Sequence, residues 1–225
     1  MKNNYALWLR QWLIIAKQAC MKLENIKQQV KIAKFWDWFL KNEPLLYYGT
    51  EDERNRLAII KKITHQLKNL NKYLVFELSP IKEREYKEFI ISADGIREAF
   101  SVVVQLVKYA PKHKNWQFTA FRPRMKSDDL SISTGFMDFS YNDLFFRYVL
   151  TDKEFGVELN IRNFKYTEWE KNALFVLLDA LVGEYDAVTE IDWVDWVELD
   201  EQKEEELFPF VELRKLVDER KEKRG

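Results

Sequence analysis

The sequence predicts an α+β fold, a mainly antiparallel sheet with helices packed against it, preceded by an N-terminal helical extension. Three observations carry this. Segments with strand alternation cluster along the chain instead of alternating strictly with helical segments. Turn formers are scarce, with 6 Gly and 5 Pro in 225 residues, which favours long helices and well-paired strands. The 8 Trp, 10 Tyr and 16 Phe bring large apolar rings to bury, so a substantial core is expected.

The first 34 residues read as a basic amphipathic helical extension. Lys2, Arg10, Lys17, Lys22, Lys27, Lys31 and Lys34 stand against Glu24 alone, a net of +6. Tyr5 to Cys20 is apolar enough to resemble a secretory leader. Arg10 and Gln11 interrupt its apolar run, and Lys17 precedes the place where cleavage would fall. A chain beginning at Met21 is the other expectation for this end. Phe35-Trp36-Asp37-Trp38-Phe39-Leu40 predicts a helical face of Trp36, Phe39 and Leu40, ending at Asn42-Glu43-Pro44. Glu51 to Leu70 predicts a helix with Leu57, Ile60, Ile63, Leu67 and Leu70 as its apolar stripe and Asp52 and Glu53 in its first turn.

Tyr73–Leu78 and Tyr86–Ser92 are rich in strand formers and read as a hairpin around residues 79–84. Asp94 is then expected to cap a helix from Ile96 to Ala110, buried along Ile96, Phe100, Val103, Val107 and Ala110 and stopped by Pro111. Trp116–Arg122 alternates as a strand. Gly135–Tyr141, Leu144–Leu150 and Phe155–Ile161 follow as strands, the last two joined by a turn at Thr151-Asp152-Lys153. Thr167 and Glu170 form a capping box for a helix through Leu174, Leu177, Leu178 and Leu181 that ends at Gly183. Ala187–Leu199 reads as a long final strand with a bulge near Val194. An acidic linker and a mixed-charge helix from Phe210 to Lys223 close the chain. No repeat or Pro/Ser-rich hinge interrupts residues 35–225, so they are expected to form a single domain.

Charge is balanced, 36 basic residues against 37 acidic, with a pI of about 6.2. Dependence on phosphate neutralisation would call for a basic excess, so no nucleic acid is expected. The single cysteine, Cys20, excludes an intramolecular disulfide and a multi-cysteine zinc site, and predicts a reducing cytoplasm. No uncharged stretch reaches the length of a membrane span.

Four segments in order, Phe35-Trp36-x-Trp38-Phe39, Ile91-Ser92-Ala93-Asp94-Gly95, Trp116-x-Phe118-x-Ala120-Phe121-Arg122-Pro123-Arg124 and Gly183-Glu184-Tyr185-Asp186, resemble a bacterial family of cytoplasmic proteins with no assigned activity. The resemblance spans residues 35 to 199. It implies one bacterial domain and carries no mechanism.

Several constellations have a functional and a structural reading. Arg122 and Arg124 follow a strand that delivers them to a sheet end, where guanidinium forks suit carboxylate or phosphate. Their structural reading is pairing with Asp128 and Asp129 in a solvated loop. Asp94 is either a helix cap or, with Gly95, part of an anion-binding helix start. Glu184 and Asp186, expected just past a helix C-terminus, read as turn residues or as oxygen donors to a divalent ion. His65 falls some 200° around from Ile63 at about 100° per residue, and both His65 and His113 read as surface residues. Trp193 and Trp196, among Asp192, Asp195, Glu198 and Asp200, read as core tryptophans on an edge strand or as a docking edge for a partner. No phosphate-binding loop, nucleophile elbow or zinc spacing is present in the sequence, and no metal or cofactor is expected.

The leading expectation is therefore a non-enzymatic protein-interaction or regulatory domain whose partner is another protein or a second copy. The alternative is an enzyme with a cleft built from Asp94, Arg122, Arg124, Glu184 and Asp186. A membrane-surface contact through residues 1–34 is a lesser alternative.

Overall fold

The computed structural model describes residues 2–82, 85–133 and 138–224, with side chains from residue 12 onward. The chain gathers into two compact units, Met1–Ile91 with Glu98–Thr119, and Ser92–Arg97 with Ala120–Gly225.

In the first unit, α1 (Lys2–Lys41) is one uninterrupted helix. Ile32, Phe35, Trp36 and Phe39 recur at i, i+3, i+4 and i+7 and are buried, while Leu40 is exposed. The buried face is thus rotated from the expected one, because the stripe runs back through Ile32 rather than on to Leu40. α2 (Glu43–Tyr48) carries Pro44 in its first turn, where the missing N–H has no helical acceptor to lose. α3 (Glu53–Leu70) starts two residues later than expected, because the Asp52 carboxylate accepts from Arg54 N and acts as the cap. Its buried stripe is Ile59, Ile63, Leu67 and Leu70, and Leu57 lies outside it, exposed.

β1 (Val75–Leu78), β2 (Lys87–Ser92), α4 (Phe100–Lys108) and β3 (Trp116–Ala120) complete this unit. The sheet order is β1-β2-β3; residues 83 and 84 of the expected turn lie outside the described residues. α4 is shorter than expected and is preceded by a 3-10 turn, Arg97–Ala99, so its N-cap is Ala99 and not Asp94. Its buried residues are Phe100, Val103 and Leu106. Aromatic rings fill the centre: Phe39 stands 5.6 Å from Phe89 and 5.0 Å edge-on to Trp116, and Trp36 stands 4.6 Å from Phe118. Trp36 Nε1, buried among them, donates to Leu106 O at 2.9 Å, satisfying its one polar atom.

In the second unit, β4 (Ser131–Ser133) and β5 (Asp138–Ser140) form an antiparallel pair. The expected strand Gly135–Tyr141 overlaps β5, and its residues 135–137 lie outside the described residues. β6 (Leu144–Leu150) and β7 (Phe155–Ile161) pair antiparallel from Leu144↔Ile161 to Leu150↔Phe155, with the bounds the alternation predicts. α5 (Glu168–Val182) opens on the Thr167/Glu170 capping box, both arms present, and closes at Gly183. The expected strand over Ala187–Leu199 is instead two elements, α6 (Glu184–Glu190) and β8 (Trp193–Glu198). β8 runs parallel to β7, Gly156↔Trp193 through Ile161↔Glu198, and the bulge expected near Val194 is replaced by regular pairing with Val157. β9 (Phe208–Pro209) adds antiparallel to β6 beyond a 3-10 turn at Glu201–Glu206, and α7 (Leu213–Arg224) ends the described chain. The order is β8-β7-β6-β9. β7, flanked on both sides, is buried along nearly its whole length, and Leu174, Leu177, Leu181, Phe210 and Val217 join it in one core.

Gly156 on β7 has a specific packing role. A Cβ built there would stand 1.8 Å from Trp193 Cε2, so the indole of β8 lies flat where a side chain would be. Its Nε1 donates to Glu154 Oε1 at 2.7 Å. Gly156→Ala is expected to expel the half-exposed ring and cost about 1–2 kcal/mol. The check is the Trp193 indole N–H resonance, assigned with Trp193→Phe, together with urea unfolding. An unmoved resonance would show that the ring is not seated on Gly156.

Candidate functional site

The residues singled out in the sequence meet in the second unit, in two adjoining ion-pair groups. Phe121 adopts a left-handed backbone (φ 64°) at the end of β3, and the chain then passes Gly183. Gly183 has φ 89° and is at once the C-cap of α5 and the N-cap of α6. A Cβ there would stand 3.4 Å from Arg124 N. That is an ordinary van der Waals contact, so the unusual φ, and not lack of space, is what calls for glycine here.

That junction sets Glu184 just past the C-terminus of α5, as expected, and at the same time in the first turn of α6, where the helix dipole favours it. The side chain is fully buried. Its Oε1 accepts from Ala93 N (3.1 Å) and Gly95 N (3.3 Å), and its Oε2 accepts from Arg122 N (3.1 Å). Glu184 N in turn donates to Arg122 O at 3.0 Å. One carboxylate therefore ties the Ser92–Gly95 turn to the residue after β3.

Arg122 Nη1 reaches Asp94 Oδ1 at 3.1 Å and Asp179 Oδ2 at 3.4 Å. Arg124 grips Asp218 with both terminal nitrogens, at 2.9 and 2.7 Å, and touches Asp186 at 3.3 Å. Lys221 closes on both oxygens of Asp186, at 2.8 and 2.9 Å. The expected pairing of the arginines with Asp128 and Asp129 does not occur. Asp128 pairs with Arg214, because the turn beyond Arg124 carries it toward α7. Asp94 is no cap: its backbone is left-handed (φ 52°) and its carboxylate faces Arg122.

In the first group the Arg122 guanidinium meets the carboxylates of Asp94 and Asp179, while Glu184 holds the Arg122 backbone N–H. Burial and the neighbouring Glu184 push Asp179 up to about 7, against the opposing pull of Arg122. In the second group the Arg124 guanidinium holds the Asp218 carboxyl below its usual range. Both arginines are thus held by carboxylates of the chain itself. Among the described residues, no group of three or more His, Cys, Asp or Glu side chains is arranged to hold a metal ion.

Trp193 and Trp196 lie on β8, an edge strand. Trp196 packs edge-on to Phe175 at 4.9 Å. His65 is exposed, as expected. His113 is partly covered instead, with Nδ1 accepting from Asn115 N and lying 3.9 Å from Glu43, because the loop folds back on the start of α2.

Two features were not anticipated. Along α1, Trp12, Ala16, Ala19, Leu23, Ile26, Val30 and Ala33 are all exposed. Their spacing alternates four and three, so they form one apolar seam of heptad type. The flanking positions are Leu13, Ile15, Cys20, Lys22, Lys27, Gln29 and Lys34, which include no acidic residue. The apolar surface is wider than an amphipathic stripe near the start, where Leu13, Ile14 and Ile15 are exposed too. The spacing was readable in the sequence; its lack of cover was not.

The second is a cleft in the first unit around Lys87, whose residue is fully buried. Lys87 Nζ meets Thr50 Oγ1 and pairs with Glu51 Oε1 at 2.5 Å. On β2, Lys87 is in phase with buried Phe89 and Ile91, and that phase is the signal that could have found it.

No family model matches the chain, and no curated protein or solved structure matches it.

Proposed function

We propose that this chain is an interaction protein that binds a helical partner along α1. The observation that supports it is the exposed heptad seam from Trp12 to Ala33. Apolar rows of this length at alternating three and four spacing hide from water when a second helix seats its own row against them. The flanking lysines decide which helix. Lys22, Lys27 and Lys34 from a second copy would face each other, and like charges across a helical seam repel. The preferred partner is an amphipathic helix whose own flanking positions carry glutamate. Among the described residues no helix is long and apolar enough to cross a membrane.

The test uses two synthetic heptad peptides with leucine seams, one flanked by glutamate and one by lysine. The full chain is expected to bind the glutamate peptide one to one, weakening with salt, and the lysine peptide at least about tenfold more weakly. Leu23→Glu with Ile26→Glu, both at exposed positions, is expected to abolish binding without moving the thermal transition. Equal affinity for both peptides, or unchanged binding by the double variant, overturns the proposal. Binding to vesicles of anionic lipid in place of the glutamate peptide would also overturn it, in favour of membrane-surface contact.

A further inference from the structure

The geometry points to the Lys87 cleft as a binding site for a small amphiphilic carboxylate, a single acid group on an apolar body. The cleft encloses 460 Å3 within the first unit, inside the range of about 300–1,000 Å3 typical of small-molecule sites. Its lining combines two chemistries. Ile60 of α3 and Leu74, Val75, Phe76 and Leu78 of β1 and its approach form apolar walls. Thr50, Glu51, Arg56 and Lys87 add a charged cluster, Arg56 and Lys87 both bonded to Thr50 and Lys87 paired with Glu51.

The charges there define the ligand. Glu51 already neutralises Lys87, while Arg56 has no carboxylate partner among the described residues. Its Nε donates to Thr50 O at 2.8 Å, which orients the fork and leaves both terminal nitrogens for a carboxylate. One positive charge is therefore uncompensated beside an apolar cavity. A monoanion satisfies it. A phosphate dianion would bring more charge than the cleft balances, and an amine would meet Arg56 with like charge. A carboxylate on Arg56 with an aliphatic or aromatic body along Ile60 and Phe76 matches both parts of the lining. This site is separate from the α1 seam and does not depend on the partner reading.

Isothermal titration of the full chain with sodium octanoate below its micellar concentration tests it, with 1-octanol and octylamine as neutral and cationic counterparts. Octanoate is expected to bind one per chain, with 1-octanol and octylamine at least about tenfold weaker. Arg56→Gln, at an exposed position, is expected to bring octanoate down to the level of the alcohol. Thr64→Phe, which projects a ring into the cleft from the turn of α3 after Ile60, is expected to abolish binding of all three while circular dichroism stays unchanged. Lack of saturable octanoate binding, equal affinity for octanoate and octanol, or binding indifferent to Arg56→Gln or to Thr64→Phe would each overturn the assignment.

Discussion

Glu184→Ala is expected to destabilise the second unit by about 3 kcal/mol. A buried acceptor that serves three backbone N–H groups leaves them without partners when removed, at about 1–3 kcal/mol for each one that water cannot reach. Ala93 is fully buried, whereas Gly95 is exposed and Arg122 partly so. One full penalty and two reduced ones therefore give the figure. Relief of the repulsion between Glu184 and Asp179 offsets a part of it. Glu184→Gln keeps one oxygen but turns an NH2 toward one of the donors, so it is expected to recover roughly half of the loss. Urea unfolding of the parent and both variants measures this. A loss below about 1 kcal/mol for the alanine variant would show that the carboxylate is not what fastens the Ser92–Gly95 turn.

Stability of the same unit is expected to fall as pH rises from about 4 to 7, and Asp179→Asn is expected to remove that fall. Asp179 titrates at about 7 in the folded chain against 3.8 as its ordinary value. Between those values the folded form holds a proton that the unfolded form has released. Its contribution is therefore full below the ordinary value and is lost as pH climbs through the folded one. At about 1.4 kcal/mol per unit, the three-unit gap sets an upper bound of about 4 kcal/mol. The side chain is 13% exposed, so solvent screening takes little from this. Asparagine imitates the neutral acid at every pH. Unfolding at pH 5, 6, 7 and 8 is expected to show the difference between variant and parent growing with pH in favour of the variant. A difference independent of pH would mean that Asp179 is charged in the folded chain throughout.

These two residues mark how far the sequence could be read. Hairpin β6–β7 was legible residue by residue, because period-two alternation and the Thr151 turn are local signals that the sheet reinforces. α5 was legible too, since the Thr167/Glu170 box and Gly183 state its ends in four-residue patterns. α6 was not. Val188, Thr189 and Ile191 favour a strand locally, yet the backbone there is fixed from outside, by Glu184 bonded to Ala93, Gly95 and Arg122, about 90 and 62 residues away in sequence. Asp94 failed as a cap for the same reason: its competitor was Arg122, which proximity in sequence does not reveal.

The sequence by itself determined the α+β class, the helix along residues 35–40, the β6–β7 pair and the bounds of α5. These rest on interactions within a turn or two, where side-chain period and capping chemistry suffice. Only the tertiary structure decided which carboxylates hold Arg122 and Arg124, that Lys87 is buried against Thr50 and Glu51, and that the α1 seam lies uncovered. Burial and charge pairing are properties of neighbours in space, and each of these depends on elements that the chain brings together from far apart.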